Sequence, residues 1–494
     1  MIETDPDIVR SFLSDAAHVP GGFAAGVAFP RTVEEVASLV ASAETVLPIG
    51  AQSSLTGGAT PRGGLVLSTR SLTGILLDQQ HRRVRVGAGV PLSTLQAHLA
   101  TRQLWYPPAP TYDGAFVGGV VSTNAAGAAT FKFGTTRRWV EALTVVLADG
   151  RVLSVSRGDS IAVGHDLRLD AGGTTVHLPV PTYRMPDVPK LSAGYFAAPG
   201  MDLLDLFVGS EGTLGVIVDV VLRVIPRPSR CTALVECVDD AQAFAVTRAL
   251  RERATQAWHG DGVLDVSAIE YMDARSLAFV ADAAFAAAGT RRPPDSAVLL
   301  LVQFDATDQV DEAMTAFSDV LDGAGVSTDP VVALPGDAAA TANLFALREA
   351  VPAGVNAAVA AAKQRTPLLQ KTAGDFIVPF ERLAESVALY RRAFEAHSLD
   401  YAIWGHVSDG NLHPNVVPAT ADDMERGNQV LRELARTVIA MGGSPLAEHG
   451  VGRSTLKQEF LRQLYGDVGI DQMRRLKRSL DPGWKLAPGV LFPA

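Results

Sequence analysis

The pattern of apolar and polar positions changes period along this chain. Thr32-Val-Glu-Glu35 is a capping box and predicts a helix running toward Ala43. TVLPIG, residues 45–50, is a short apolar run ending in glycine, which predicts a strand entering a loop. HRRVRVGAG, residues 81–89, is strand-like, and Pro91 then suits the first turn of a helix through about Ala100. ALTVVLADGRVLSV, residues 142–155, predicts a hairpin turning at Asp149-Gly150. Residues 158–200 carry several Pro and Gly and read as a loop insertion. LFVGSEGTLGVIVDVVLRVIP, residues 206–226, returns to turn and strand.

IPRPSR, residues 225–230, marks a boundary. Beyond it, apolar strands at 297–303, 401–407 and 413–417 lie between alanine-rich helices. The stretch 337–363 carries spaced Leu, Phe and Val, so it predicts helix and not linker. This half reads as an antiparallel sheet with helices on one face. The expected division is a helical lead-in over 1–25, one domain over 26–228 and a second over 229–494. The fold class is α+β.

Composition narrows the function. The 494 residues are 47% hydrophobic and 19% charged, a globular balance with ample core. A net charge of −10 without a basic stripe excludes nucleic acid as a partner. The basic run RRLKRSL, 474–480, reads as one helix face. Two cysteines, Cys231 and Cys237, are too few for a disulfide framework, an iron–sulfur site or a cysteine-rich zinc site. The N-terminus carries acids where a secretory signal needs bases, and the uncharged stretch 114–131 is too polar for lipid. The expectation is a soluble, cytoplasmic protein, with peripheral membrane docking and a homodimer left open.

Three glycine-rich segments carry candidate chemistry. PIGAQSSLTGGA (48–59) offers closely spaced backbone N–H groups and hydroxyls that can wrap a pyrophosphate. GAFVGGVVSTNAAG (114–127) is small, polar and glycine-rich, and a large cofactor would satisfy it. GSEGTLG (209–215) turns into an apolar strand. In this order and spacing they resemble the FAD-binding domain of the vanillyl-alcohol-oxidase-type flavoproteins, over about 26–228. The resemblance implies a two-lobed, non-Rossmann α+β domain. Its FAD would meet Pro48, Gly50, Ala51, Gln52, Ser53, Ser54, Thr56 and Gly57 in the first segment. In the second it would meet Pro110, Thr111, Gly114, Val117, Gly118, Gly119, Ser122, Thr123, Asn124 and Gly127. Glu211, Gly212, Gly215 and Ile217 complete the set. Some relatives tether FAD to a histidine in the first loop. Residues 50–58 have none, so the FAD is expected to be non-covalent.

GHVSDGNLHPN, residues 405–415, carries the second candidate site. With Asp409-Gly410 as a two-residue loop, His406 faces His413 and Trp404 faces Asn415, all four on one face. Directly opposed Cβ atoms lie about 4.5–5.5 Å apart, so two imidazoles can share a divalent metal. A pair of half-exposed polar strand residues is the plain alternative. AEHGVGR, 447–453, supplies the carboxylate of Glu448 and a third histidine, His449. Two His and one carboxylate with an open position is a common catalytic metal set, Zn²⁺ first, with Mn²⁺, Co²⁺ or Fe²⁺ also fitting.

GHVSDGNLHPN, AEHGVG and the ending LDPGWKLAPGVLF closely resemble the FAD-linked D-2-hydroxyacid dehydrogenases, a group with D-lactate, glycolate and D-2-hydroxyglutarate enzymes. The resemblance implies that His406, His413 and Glu448 ligate metal, that Asn415 meets substrate or flavin, and that His449 is the base. It places Arg348 on the substrate carboxylate, Lys371 near a second cation position, and the last 15 or so residues back near the flavin. Ser408 replaces a glycine of many relatives beside the turn, with little effect expected. Pro352 replaces a hydroxyl used for a second carboxylate, which argues against a dicarboxylate substrate. The implied reaction converts a D-2-hydroxy acid to a 2-keto acid, with electrons leaving to an external quinone, cytochrome or flavoprotein. An ether-lipid-synthase-like FAD enzyme without net redox chemistry, a metallo-hydrolase and a non-catalytic flavin-binding subunit remain as alternatives. Ser454-Thr-Leu-Lys457 imitates a penicillin-recognising motif, but its companions are absent and Ser454 reads as a helix cap.

Overall fold

The computed structural model describes residues 2–493 except Ala109, Thr111, Thr307 and Asp308. Two larger sheets and two small two-stranded ones build the described part of the first half. One larger sheet runs in the order Ile2–Glu3, Gly26–Ala28, Leu65–Ser68, Val46–Ile49. Its last three strands are parallel. Helix Val33–Ser42 makes the crossover, opened by Thr32, whose Oγ accepts the Glu35 N–H at 3.2 Å. The lead-in is therefore not purely helical. Ile2–Glu3 pairs antiparallel with Gly26–Ala28 and belongs to the same sheet, and only Pro6–Arg10 is helix.

The other larger sheet has five antiparallel strands, Ile75–Asp78, Arg83–Gly87, Val216–Arg223, Val140–Val146 and Val152–Ser156. The hairpin expected at 142–155 is present, with Val146 opposite Val152. The segment 158–200 is more ordered than its composition predicts. Asp166–Ala171 and Thr174–Pro179 form a hairpin closed by Gly172-Gly173, both at positive φ.

The second half is an eight-stranded antiparallel sheet. Its order is Val331–Ala333, Arg230–Cys237, Val298–Asp305, Asp265–Met272, Tyr401–His406, Asn411–Val416 and Thr372–Ala373, with Phe376–Ile377 also on Asn411–Val416. Helices cover both faces, not one. Ala233, Val235, Val302 and Phe304 pack with helices Asp240–Trp258 and Val310–Gly323. Leu234, Leu301, Ala402 and Trp404 pack under helix Ala338–Arg365. Strand Val298–Asp305 opens with the unbroken apolar run VLLLV (298–302) because both of its sides are buried there. Helix Ala338–Arg365 is long and apolar enough in composition to cross a membrane. Here its Leu344, Leu347, Val351 and Val355 seal the sheet. Pro352 inside it removes the N–H that the Arg348 carbonyl would otherwise accept.

The two halves are pinned together. The Lys132 ammonium reaches Asp265 at 2.6 Å and Asp305 at 2.5 Å. Residues 485–487 return to the first sheet: Val46 donates to the Lys485 carbonyl and Ala487 to the Val46 carbonyl, both at 2.8 Å.

Candidate active site

A cleft opens where strand Val46–Ile49 ends. It is lined by Pro48, Gly50, Ala51, Gln52, Ser53, Ser54 and Thr56, and by Pro110, Gly118, Gly119, Ser122 and Thr123. Glu211, Gly212, Gly215 and Ile217 line its far side, with Glu448 and His449 at one end. Small residues build it for steric reasons. A Cβ on Gly118 would lie 2.7 Å from that of Ala88, whereas one on Gly119 would meet nothing and faces open space. Bare backbone and the hydroxyls of Ser53, Ser54, Thr56, Ser122 and Thr123 suit a cofactor with a pyrophosphate and a polar tail.

Five expected cofactor contacts lie behind this lining. Gly57, at φ +74°, turns toward Val19 and Arg453, and Gly114 faces Tyr112. Val117 is fully buried in the core. Asn124 donates to the Leu191 carbonyl at 3.2 Å and accepts the Arg137 N–H at 2.9 Å. Gly127 accepts the Thr130 hydroxyl at 2.7 Å. They shape the loops without touching the cleft. Thr111 lies outside the described residues. Glu211 lines the cleft but its carboxylate is engaged, accepting the N–H groups of Val451 and Gly452, each at 2.8 Å. Burial pushes its pKa up to about 7 against those two bonds.

The histidine hairpin has a different register from the expected one. Val407–Asp409 form a 3₁₀ turn and Gly410 is left-handed, so the loop is four residues long. His406 therefore pairs with Asn411, and Trp404 with His413. The slip is two residues, so His406, His413, Trp404 and Asn415 stay on one face. Ser408 explains the longer turn: its Oγ accepts the Ile269 N–H at 3.2 Å, and its carbonyl accepts from Arg251. Its role is larger than the sequence indicated.

The two imidazoles meet Glu448. His406 Nε2 lies 3.1 Å and His413 Nε2 3.4 Å from Glu448 Oε1. The opposite nitrogens are backed by carboxylates. His406 Nδ1 bonds Glu270, its direct neighbour across strands. His413 Nδ1 faces Asp375 at 3.7 Å and is otherwise unpartnered among the described residues. Metal-binding histidines show this arrangement, with a carboxylate fixing the ring from behind. Burial lowers the His413 pKa to about 4, so the ring is neutral and able to ligate. Burial also acts on His406, but Glu270 and Glu448 outweigh it and carry the ring to about 9. Asp375, His413 and His449 form a second possible donor set. In that set Asp375 Oδ2 already accepts the Glu448 and His449 N–H groups, at 3.0 and 2.9 Å. The set His406, His413 and Glu448 is the better metal candidate.

The remaining expected residues surround this centre. Asn415 donates to the His413 carbonyl at 2.7 Å, and its buried Oδ1 has no partner among the described residues. Arg348 is buried and bonds Glu270 through Nε at 2.7 Å and Glu349 through Nη1 at 3.0 Å. Glu270 thus joins the expected substrate arginine to the expected metal ligand. Lys371 lies with its ammonium 5.6 Å from the Trp404 ring, and burial lowers its pKa to about 8. His449 Nδ1 is 3.3 Å from Asp375 Oδ2. Sequence reasoning missed Glu270, Asp375, Asp409 and Lys190. The Lys190 ammonium lies 2.7 Å from Glu448 Oε2 and 3.3 Å from Asp409. Ser454 caps its helix as expected, while Lys457 reaches to 3.6 Å from Asp375.

Comparison with known proteins decides what this cleft belongs to. Residues 24–156 match the FAD binding domain family, and residues 227–491 match FAD linked oxidases, C-terminal domain. The chain belongs to the FAD-linked oxidases. This FAD-linked oxidase is 32% identical over 484 residues to D-2-hydroxyglutarate dehydrogenase of Xanthomonas citri pv. viticola, covering 94% of this chain and 89% of that one. It is 28% identical over 477 residues to glycolate oxidase subunit GlcD of Bacillus subtilis, covering 94% and 88%. It shares the fold of 4-ethylphenol oxidase from Gulosibacter chungangensis, with TM-score 0.68 and 17% identity over 100% of this chain and 94% of that one. The FAD-linked oxidase is an oxidoreductase of the vanillyl-alcohol-oxidase fold.

Proposed function

We propose that this enzyme oxidises a D-2-hydroxy acid of the glycolate or D-lactate class to the 2-keto acid. Electrons would pass on to a quinone, a cytochrome or a flavoprotein. The observation that carries the reading is the convergence of His406, His413 and Glu448 beside His449 at the end of the flavin cleft. The relatives are named for glycolate and D-2-hydroxyglutarate, both 2-hydroxy acids. When bound, FAD supplies the hydride acceptor, and a divalent ion held by His406, His413 and Glu448, Zn²⁺ foremost, supplies positive charge beside the substrate hydroxyl.

The chain's own residues do the rest. Asp375 beside His449 Nδ1 leaves Nε2 as the acceptor for the hydroxyl proton. Arg348, held by Glu270 through Nε and by Glu349 through Nη1, keeps Nη2 for the substrate carboxylate. Lys371 adds a second positive charge from beside Trp404. Asn415 Oδ1 offers a buried acceptor to the substrate or the flavin. An anaerobic screen of D- and L-2-hydroxy acids tests this. D-lactate or glycolate should bleach the flavin, and a chelator should slow the bleaching. A yellow protein that no 2-hydroxy acid reduces would sink the reading.

A further inference from the structure

Lys190 comes from the segment that precedes the Glu211 turn, yet its side chain is wholly buried against the centre in the other domain. Its neighbours are fixed independently of it. The Ser192 N–H donates to the Leu446 carbonyl at 3.2 Å and the Ser192 hydroxyl to the Thr123 carbonyl at 2.9 Å. Asn124 holds the Leu191 carbonyl at 3.2 Å. These bonds hold the strap beside Lys190 without using its ammonium. A buried ammonium is tolerated only where carboxylates answer it. Two do so here, Glu448 Oε2 at 2.7 Å and Asp409 Oδ2 at 3.3 Å.

Glu448 has two oxygens with different surroundings. Oε1 faces His406, His413 and His449. Oε2 faces Lys190 at 2.7 Å. We propose that Lys190 is a positioning residue that holds Oε2, restricts Glu448 to one-oxygen ligation, and so preserves a coordination place for substrate. A 2-hydroxy acid offers two oxygens, hydroxyl and carboxylate. A Glu448 that used both of its own would take one of the places that substrate needs. Asp409 anchors the ammonium from the turn joining the two histidine strands, so Lys190 ties Glu448 to the hairpin that bears its partner ligands. The inference rests on the metal reading above.

The test uses the FAD-loaded, metal-loaded protein, with oxalate as an inert two-oxygen probe. Metal content is read by elemental analysis and oxalate affinity by perturbation of the flavin spectrum. Lys190→Met should keep FAD and one ion per chain but bind oxalate about tenfold more weakly, the scale of lost support behind a ligand. Lys190→Arg, which returns a cation to the same carboxylates, should recover most of the affinity. Oxalate affinity in Lys190→Met equal to wild type, at full metal and FAD content, would overturn the proposal. If Lys190→Met fails to hold FAD, Lys190→Leu gives the same comparison, since it likewise leaves Oε2 without a donor. A wild-type protein that takes up no metal fails the metal reading itself, by a separate measurement.

Discussion

Each imidazole of the centre has a carboxylate on the nitrogen that faces away from Glu448. Glu270 serves both His406 and Arg348, so Glu270→Gln should weaken metal binding by roughly 10- to 100-fold. Chelator competition at constant FAD content would measure this, and an unchanged affinity would remove Glu270 from the site. A pH effect follows from the same pair. In the ion-free protein His406 keeps its proton up to about pH 9, while His413 is neutral above about 4. Metal uptake at neutral pH must therefore expel one proton from His406. Apparent affinity should rise about tenfold per pH unit up to that pKa and level off above it. Calorimetry in two buffers of different ionisation enthalpy counts the proton, and a count of zero at pH 7 contradicts the assignment. His406, His413 and Glu448 were legible because two short segments carry them with their glycines. Glu270 was not, because it lies 136 residues from His406 and only sheet pairing brings them together.

Segments behaved differently from residues. Alternation in the histidine hairpin fixed the face, but the loop length depended on Ser408 bonding a neighbouring strand, which no local pattern encodes. The hairpin of Asp166–Ala171 and Thr174–Pro179 carries its signal in DLRLDAGGTTVHLP, where leucines alternate with polar residues around a Gly-Gly turn. Its Pro- and Gly-rich flanks masked that signal. The segment 449–453 is held from the cofactor side by Glu211 and Thr56. Gly452, at φ +56°, would place a Cβ 2.5 Å from the Thr56 carbonyl oxygen. Gly452→Ala should displace this segment and with it His449, slowing flavin reduction on the order of a hundredfold. Stopped-flow reduction at saturating substrate would show it, and a wild-type rate would mean that the segment tolerates the shift.

Across the molecule, the cleft depends on parts far apart in sequence. Strand Val46–Ile49 feeds the loop that begins at Gly50, and its outer edge is covered by residues 485–487. The ending LDPGWKLAPGVLF announced itself only as a family resemblance; that it docks on Val46 could not be read from it. Deleting residues 485–494 should uncover that edge and lower FAD retention, measured as the ratio of flavin to protein absorbance after gel filtration. Full retention would show the edge to be independent of its cover.

The same contact sets an order of events during synthesis. Residues 26–68 leave the ribosome early, but the partner of Val46 follows more than four hundred residues later. At ordinary elongation rates the wait is on the order of half a minute. Through that interval the strand edge stays open to other chains or to a chaperone.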